Sequence, residues 1–98
     1  MYRTIQDVQN ANAEIGHHFF DRDTLRFFGS RVLDGVEGGR YFVTSERRPR
    51  SNDARRYTIR ECVNGKINTV GEFQAFKSAS SARAEIARIL KNATQVAA

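Results

Sequence analysis

One cysteine, Cys62, stands in the whole chain. That excludes an internal disulfide and any zinc cluster built from several thiolates. Its predicted place is a strand beside Ile67, with no histidine or helix N-terminus in view to activate it, so it reads as a half-buried structural thiol. Tryptophan is absent, and no apolar run approaches the roughly 20 residues that span a bilayer. The opening MYRTIQDVQNANAE lacks the apolar stretch of a secretory signal, which implies a protein that stays in the cytoplasm. Acidic residues are the minority, 11 against 16 basic ones, for a net charge of +5. Thirteen of those basic residues are arginine. Arginine presents a planar fork suited to phosphate and carboxylate, so the balance points to nucleic acid or an acidic protein surface as partner. A high-GC genome also enriches arginine, without any function.

What is present is one domain, 1–98. With 40% hydrophobic and 28% charged residues it has an ordinary soluble composition, its core bulk coming from seven Phe and three Tyr. Its centre is a hairpin from Arg55 to Phe76. Asn64-Gly65 between two strand-like runs is the signature of a two-residue type I′ turn, which needs positive φ at both positions. That turn sets the register: Val63 faces Lys66, Cys62 faces Ile67, Arg60 faces Thr69, Ile59 faces Val70 and Thr58 faces Gly71. One face then carries Tyr57, Ile59, Val63 and Val70 and packs on a helix. The other carries Arg56, Thr58, Arg60 and Thr69, with Cys62 and Ile67 near the turn, and is expected to be polar, cationic and open.

Around the hairpin, residues 4–15 read as a first helix capped by Thr4, with Asp7 in the capping-box position and Gly16 as the stop. Its thin apolar stripe is Ile5, Val8, Ala11 and Ile15. Residues 17–31, HHFFDRDTLRFFGSR, hold a short helix that starts at Asp21 and ends at Gly29, with Phe19 or Phe20 as a hydrophobic staple and Leu25, Phe27 and Phe28 on its apolar side. Arg31 to Asp34 is a short extended entry, and Arg40 to Glu46 a strand of aromatic and β-branched residues. A last helix begins at Ser78 or Ser80, with Ala79, Ala82, Ile86, Ile89 and Leu90 in one stripe. The fold expected is α+β: an N-terminal helix, a short second helix, and a three- to four-stranded antiparallel sheet packed by the C-terminal helix.

His17 and His18 are adjacent, and no H-x-x-x-H or HExxH spacing occurs. His18 with Glu14, Asp21 or Asp23 is the set from which a metal site, and a small metal-dependent nuclease, would have to be built. Capping and solvent-facing roles account for the same residues. No enzyme activity and no cofactor is expected. Gly38 and Gly39 lack the helix and the Lys-Ser/Thr of a phosphate-binding loop, so they read as a turn. The decapeptide RRPRSNDARR, residues 47–56, holds five arginines and one aspartate between two strands. It reads either as a phosphate- or acid-contacting loop or as a solvated one.

The segments GHHFFDRDTLRFFGSR, GGRYFVTSE, ARRYTIR and INTVGEFQAF resemble, in order and spacing, a family of small uncharacterised proteins carried by bacteriophages and plasmids. Relatives often have Ser-Pro where Asp21-Arg22 stand, and aspartate caps a helix as well as serine. The resemblance implies a mobile genetic element and the cytoplasm of a bacterial host cell, and no activity. Separately, the stretch from Arg40 to Leu90 is similar to the three-strand-plus-helix DNA-binding domains of tyrosine recombinases, which lay an exposed sheet face in the major groove. On that pattern the face would hold Arg56, Thr58, Arg60 and Thr69; in a nucleic-acid-binding accessory protein Arg40, Arg47, Arg48, Arg50, Arg55 and Arg56 would neutralise phosphates, and Arg60 with Thr58 and Thr69 would reach base edges. The alternative is a protein-interaction module, a phage-encoded modulator of a host protein, whose arginine face meets an acidic patch with Phe20, Phe27 and the first helix as apolar anchor. Oligomeric state is open at this level.

Overall fold

The hairpin turn forms as its sequence dictates: Asn64 and Gly65 have φ of 51° and 85°. In the computed structural model, which describes residues 1–47 and 52–97, the pairings Val63–Lys66, Cys62–Ile67, Arg60–Thr69 and Ile59–Val70 all hold. Strands β3 (Arg56–Val63) and β4 (Lys66–Val70) are joined by β2 (Tyr41–Glu46) and a short β1 (Ser30–Val32). They make one antiparallel sheet in the order β1-β2-β3-β4. The expected strand from Ile67 to Phe76 is interrupted: β4 ends at Val70, and the chain rejoins β3 where Phe76 and Tyr57 exchange backbone hydrogen bonds of 3.0 and 2.8 Å. Gly71, with φ of 76°, starts that detour, so the predicted Thr58–Gly71 pair gives way to a bond from the Gln74 amide to the Thr58 hydroxyl at 2.8 Å.

Helix α1 (Ile5–Glu14) starts in the capping box anticipated from Thr4 and Asp7, each side chain accepting from the other residue's amide, at 3.1 and 3.2 Å. Helix α2 (Arg22–Phe27) begins after Asp21, whose carboxylate lies 3.2 Å from His18 Nδ1 and makes no cap bond. Helix α3 (Ala79–Ala97) is capped by the Ser78 hydroxyl, which accepts from the Ser81 amide at 3.1 Å. Its stripe seals Ala82 and Ile86 completely against Tyr41, Val43 and Ile59, with Tyr57, Val70, Ile89 and Leu90 around them. Val63, assigned by alternation to that face, lies beyond the helix and is exposed.

The opposite face departs from expectation. It is covered by α1 and the segment around Phe19 and Phe20, which close on Phe42 and Cys62. All six residues of β2 are buried as a result. Antiparallel sheets commonly leave one face wet, and here the second face is covered across β2 and stays open only toward β4. Thr58 is fully buried and Arg60 nearly so. At Thr58 and Arg60 the cationic face inferred from the hairpin alone is therefore an interior polar layer, while Arg56 and Thr69 stay exposed. Its charge is answered within the protein: Glu46, with no exposure, accepts from Thr58 at 2.7 Å, from Ser30 at 3.1 Å and from Arg60 at 3.3 Å. Asn12, and not Ile15, is buried with Val8 on the inner side of α1; it donates to the Gly65 carbonyl at 2.8 Å and accepts from the Phe19 amide at 3.2 Å. A polar residue on the inner side of a helix is stable there because both of its amide functions find partners.

Candidate nucleic-acid interface

Nine residues were expected to contact nucleic acid, and the fold scatters them. Arg48 and Arg50 lie outside the described residues. Thr58 and Arg60 are the buried pair above. Thr69 is exposed on β4 and accepts from Arg60 at 2.6 Å. Arg40 precedes β2 and pairs with Glu61 at 3.0 Å while lying over the Tyr41 ring. It stands about 24 Å along the strand from Arg47, at 3.4 Å per residue, so it belongs to the other end of the sheet.

The remaining three converge at the end where β2 stops and β3 begins. Arg55 is half-buried, and its guanidinium donates to the Ser45 hydroxyl at 2.9 Å, the Ser45 carbonyl at 2.6 Å and the Gly29 carbonyl at 2.8 Å. It fastens the return of the loop to β2 and to the turn after α2. Arg47 and Arg56 are exposed and line one shallow hollow with Asp53 and Gln74. Arg47 also lines a second hollow, of about 240 Å³, with Arg26, Arg31 and Arg55.

Arg26 and Arg31 were not among the expected contacts. Their approach depends on Gly29. That glycine has φ of 61°, and a side chain there would run into the carbonyl of Arg47, so only glycine lets the α2–β1 turn lie against the end of β2. The β1–β2 register then sets Arg31 opposite Ser45, the residue that holds Arg55. A glycine between a short helix and a strand is a readable stop signal, but the approach it permits appears only once β1 pairs with β2.

The electrostatic consequence shows on Arg55. Burial holds its guanidinium below the usual arginine range, and the positive charges of Arg31 and Arg47 push it further the same way, with Glu46 partly opposing. Among the described residues, no carboxylate lines the hollow that holds Arg26, Arg31, Arg47 and Arg55. Like charges gathered at one place raise the free energy of the empty protein, and an anion lowers it. Arginine forks are well matched to phosphate oxygens.

Beside this cluster lies an apolar groove of about 380 Å³ whose sides include Leu25, Phe28 and Phe73. Phe27 and Phe28, placed by the sequence on the apolar side of the short helix, are 75% and 52% exposed, and Phe73 is 47% exposed. Phe20 is half-buried against Phe19 and Phe42 and is not the exposed anchor its sequence position suggested. His18 and Asp21 form an exposed surface pair, and among the described residues no three His, Cys, Asp or Glu side chains gather in a way that could hold a metal ion. No helix among them is long and apolar enough to cross a membrane.

A family model matches residues 4–87. The chain belongs to the family of unknown function DUF7447. The DUF7447 match runs from the capping threonine of α1 to the residue after Ile86 in α3, so it takes in the sheet, both layers that cover it and the arginine cluster. No curated protein and no solved structure matches the chain.

Proposed function

We propose that this protein is a small nucleic-acid-binding accessory protein that grips the sugar-phosphate backbone with the arginine end of its sheet. The observation that carries the reading is the convergence of Arg26, Arg31, Arg47, Arg55 and Arg56 from three separate stretches of chain onto one end of the molecule. The loop between Arg47 and Arg55 adds Arg48 and Arg50 in sequence. Two residues expected to read bases, Thr58 and Arg60, are buried, so this reading rests on phosphate contact and not on a ribbon laid in the major groove. The phage or plasmid setting and the bacterial host cytoplasm are part of the proposal and rest on the resemblance of the motifs.

The test is fluorescence anisotropy of a labelled random duplex over a range of salt. Five phosphate contacts give a log–log slope of about −4 to −5, a loss of a few hundredfold between about 50 and 200 mM salt. The triple variant Arg26→Ser, Arg31→Ser, Arg47→Ser spares the structural Arg55 and is expected to flatten that slope by about 3. Absence of binding at low salt defeats the reading. A second reading, docking on an acidic host protein, is favoured by the exposure of Phe27 beside the same arginines. Arginine and aromatic side chains together are the usual hot-spot residues of protein interfaces. An acidic partner that binds with no competition from nucleic acid would select it.

A further inference from the structure

We propose that the groove beside the arginine cluster takes an unpaired base, which makes the ligand single-stranded nucleic acid. This rests on the nucleic-acid reading above and specifies its substrate. Bases have an apolar face and a polar edge, and the groove offers a surface for each. Phe28 and Phe73 present half-exposed rings at its sides. Arg60, Thr69 and Ser30 supply polar groups along its lining.

The charge at the groove distinguishes it from the phosphate site. The Arg60 guanidinium is held between the rings of Phe19 and Phe73, each centroid 5.4 Å away. Its charge is answered by Glu46 at 3.3 Å. A neutralised cation between aromatic rings suits a neutral polar edge better than a second phosphate. The charged requirement is met next door: Leu25 and Ser30 line both the groove and the arginine hollow, so one strand can lay its backbone on Arg26, Arg31 and Arg47 and turn a base into the groove. Phe27, edge-on to Phe28 with centroids 5.0 Å apart, is a further exposed ring on the same short helix. Positive tracks flanked by aromatic platforms are how proteins hold single strands with little sequence preference. A duplex keeps its base faces stacked and has nothing to offer Phe28 or Phe73.

The chain has no tryptophan, so Phe28→Trp introduces the sole indole of the protein as a reporter. An unmodified oligothymidylate is expected to quench it. An abasic strand of the same length is expected to bind through its phosphates about tenfold more weakly or worse, without quenching. Phe28→Ala and Phe73→Ala are expected to weaken oligothymidylate binding by about tenfold and leave duplex binding unchanged. Equal affinity for intact and abasic strands, with no quenching, overturns the proposal and leaves the arginine-based reading standing. Failure of oligothymidylate, abasic strand and duplex alike at low salt overturns both. Quenching by polyglutamate and not by oligothymidylate overturns both in favour of an acidic protein.

Discussion

Arg60 answers the charge of Glu46, a carboxylate with no exposure. Its guanidinium donates to Thr44 at 3.0 Å, to Thr69 at 2.6 Å and to Glu46 at 3.3 Å, between the rings of Phe19 and Phe73. Desolvating two charges is costly, and the pair is held by the hydroxyls of Thr44, Thr58, Thr69 and Ser30, which hydrogen-bond its two members. Removing one partner strands the other. Arg60→Leu is expected to cost about 3–5 kcal/mol in chemical denaturation, by leaving the Glu46 carboxylate buried and unpaired. Arg60→Leu combined with Glu46→Leu is expected to recover part of that loss, because no charge then remains to strand. A single variant that loses under about 1 kcal/mol would mean that water reaches the pair, since about 1 kcal/mol is what exposed ion pairs are worth. From the hairpin alternation alone Arg60 looked like a surface cation, because its partner Glu46 lies on another strand and the rings over it, Phe19 and Phe73, lie outside β3 and β4.

At the scale of the element, the Asn64-Gly65 turn does two jobs. It sets the register of β3 and β4, and it seats α1. The Gly65 carbonyl accepts from Asn12, its amide donates to the Tyr2 hydroxyl at 3.1 Å, and a side chain there would meet the Ala11 carbonyl 2.5 Å away. Gly65→Ala therefore combines a left-handed backbone, worth about 1–2 kcal/mol, with a collision against helix backbone that has nowhere to move. The expected fall in melting temperature is about 10 °C or more, at 4–8 °C per kcal/mol for a domain of this size. Gly71→Ala is the control, having φ of 76° but nothing within 4 Å of the added carbon. It is expected to lose about half as much, the backbone strain alone. Equal losses in calorimetry would show that the turn and α1 are not in close contact. The first function of this glycine was legible in the sequence and the second was not, because the turn motif says nothing about what lies over it.

At the scale of the molecule, the net charge of +5 is unevenly spent. Arg40 and Arg88 are answered by Glu61 and Glu85, whereas Arg31, Arg47 and Arg55 repel one another at one end. Screening relieves repulsion between exposed charges over about 10 Å at 0.1 M salt. The melting temperature is therefore expected to rise as salt increases from about 10 to 150 mM, and the combined variant Arg31→Ser, Arg47→Ser is expected to lose most of that rise. A melting temperature that falls with salt would show that favourable ion pairs dominate, and the arginine end would lose its case as an anion site. Such a cluster invites a ligand because binding by the native state alone stabilises it.

Local pattern by itself determined the elements of this protein. The Asn-Gly turn dictated a hairpin and its register, Thr4 with Asp7 dictated where α1 begins, and the apolar stripe from Ala82 to Leu90 dictated which side of α3 is buried. These are short-range effects, decided by backbone dihedrals, capping bonds and helical spacing within a few residues. The arrangement of the polar groups was decided by tertiary structure alone. Whether Thr58 and Arg60 face water depended on the Phe19 and Phe73 rings closing over Arg60 and the Gln74 amide meeting Thr58, and whether Arg26 and Arg31 join Arg47 depended on Gly29 admitting the Arg47 carbonyl. A strand's alternation specifies two faces without saying which of them will be covered, so the burial of a charge is settled by elements distant in sequence.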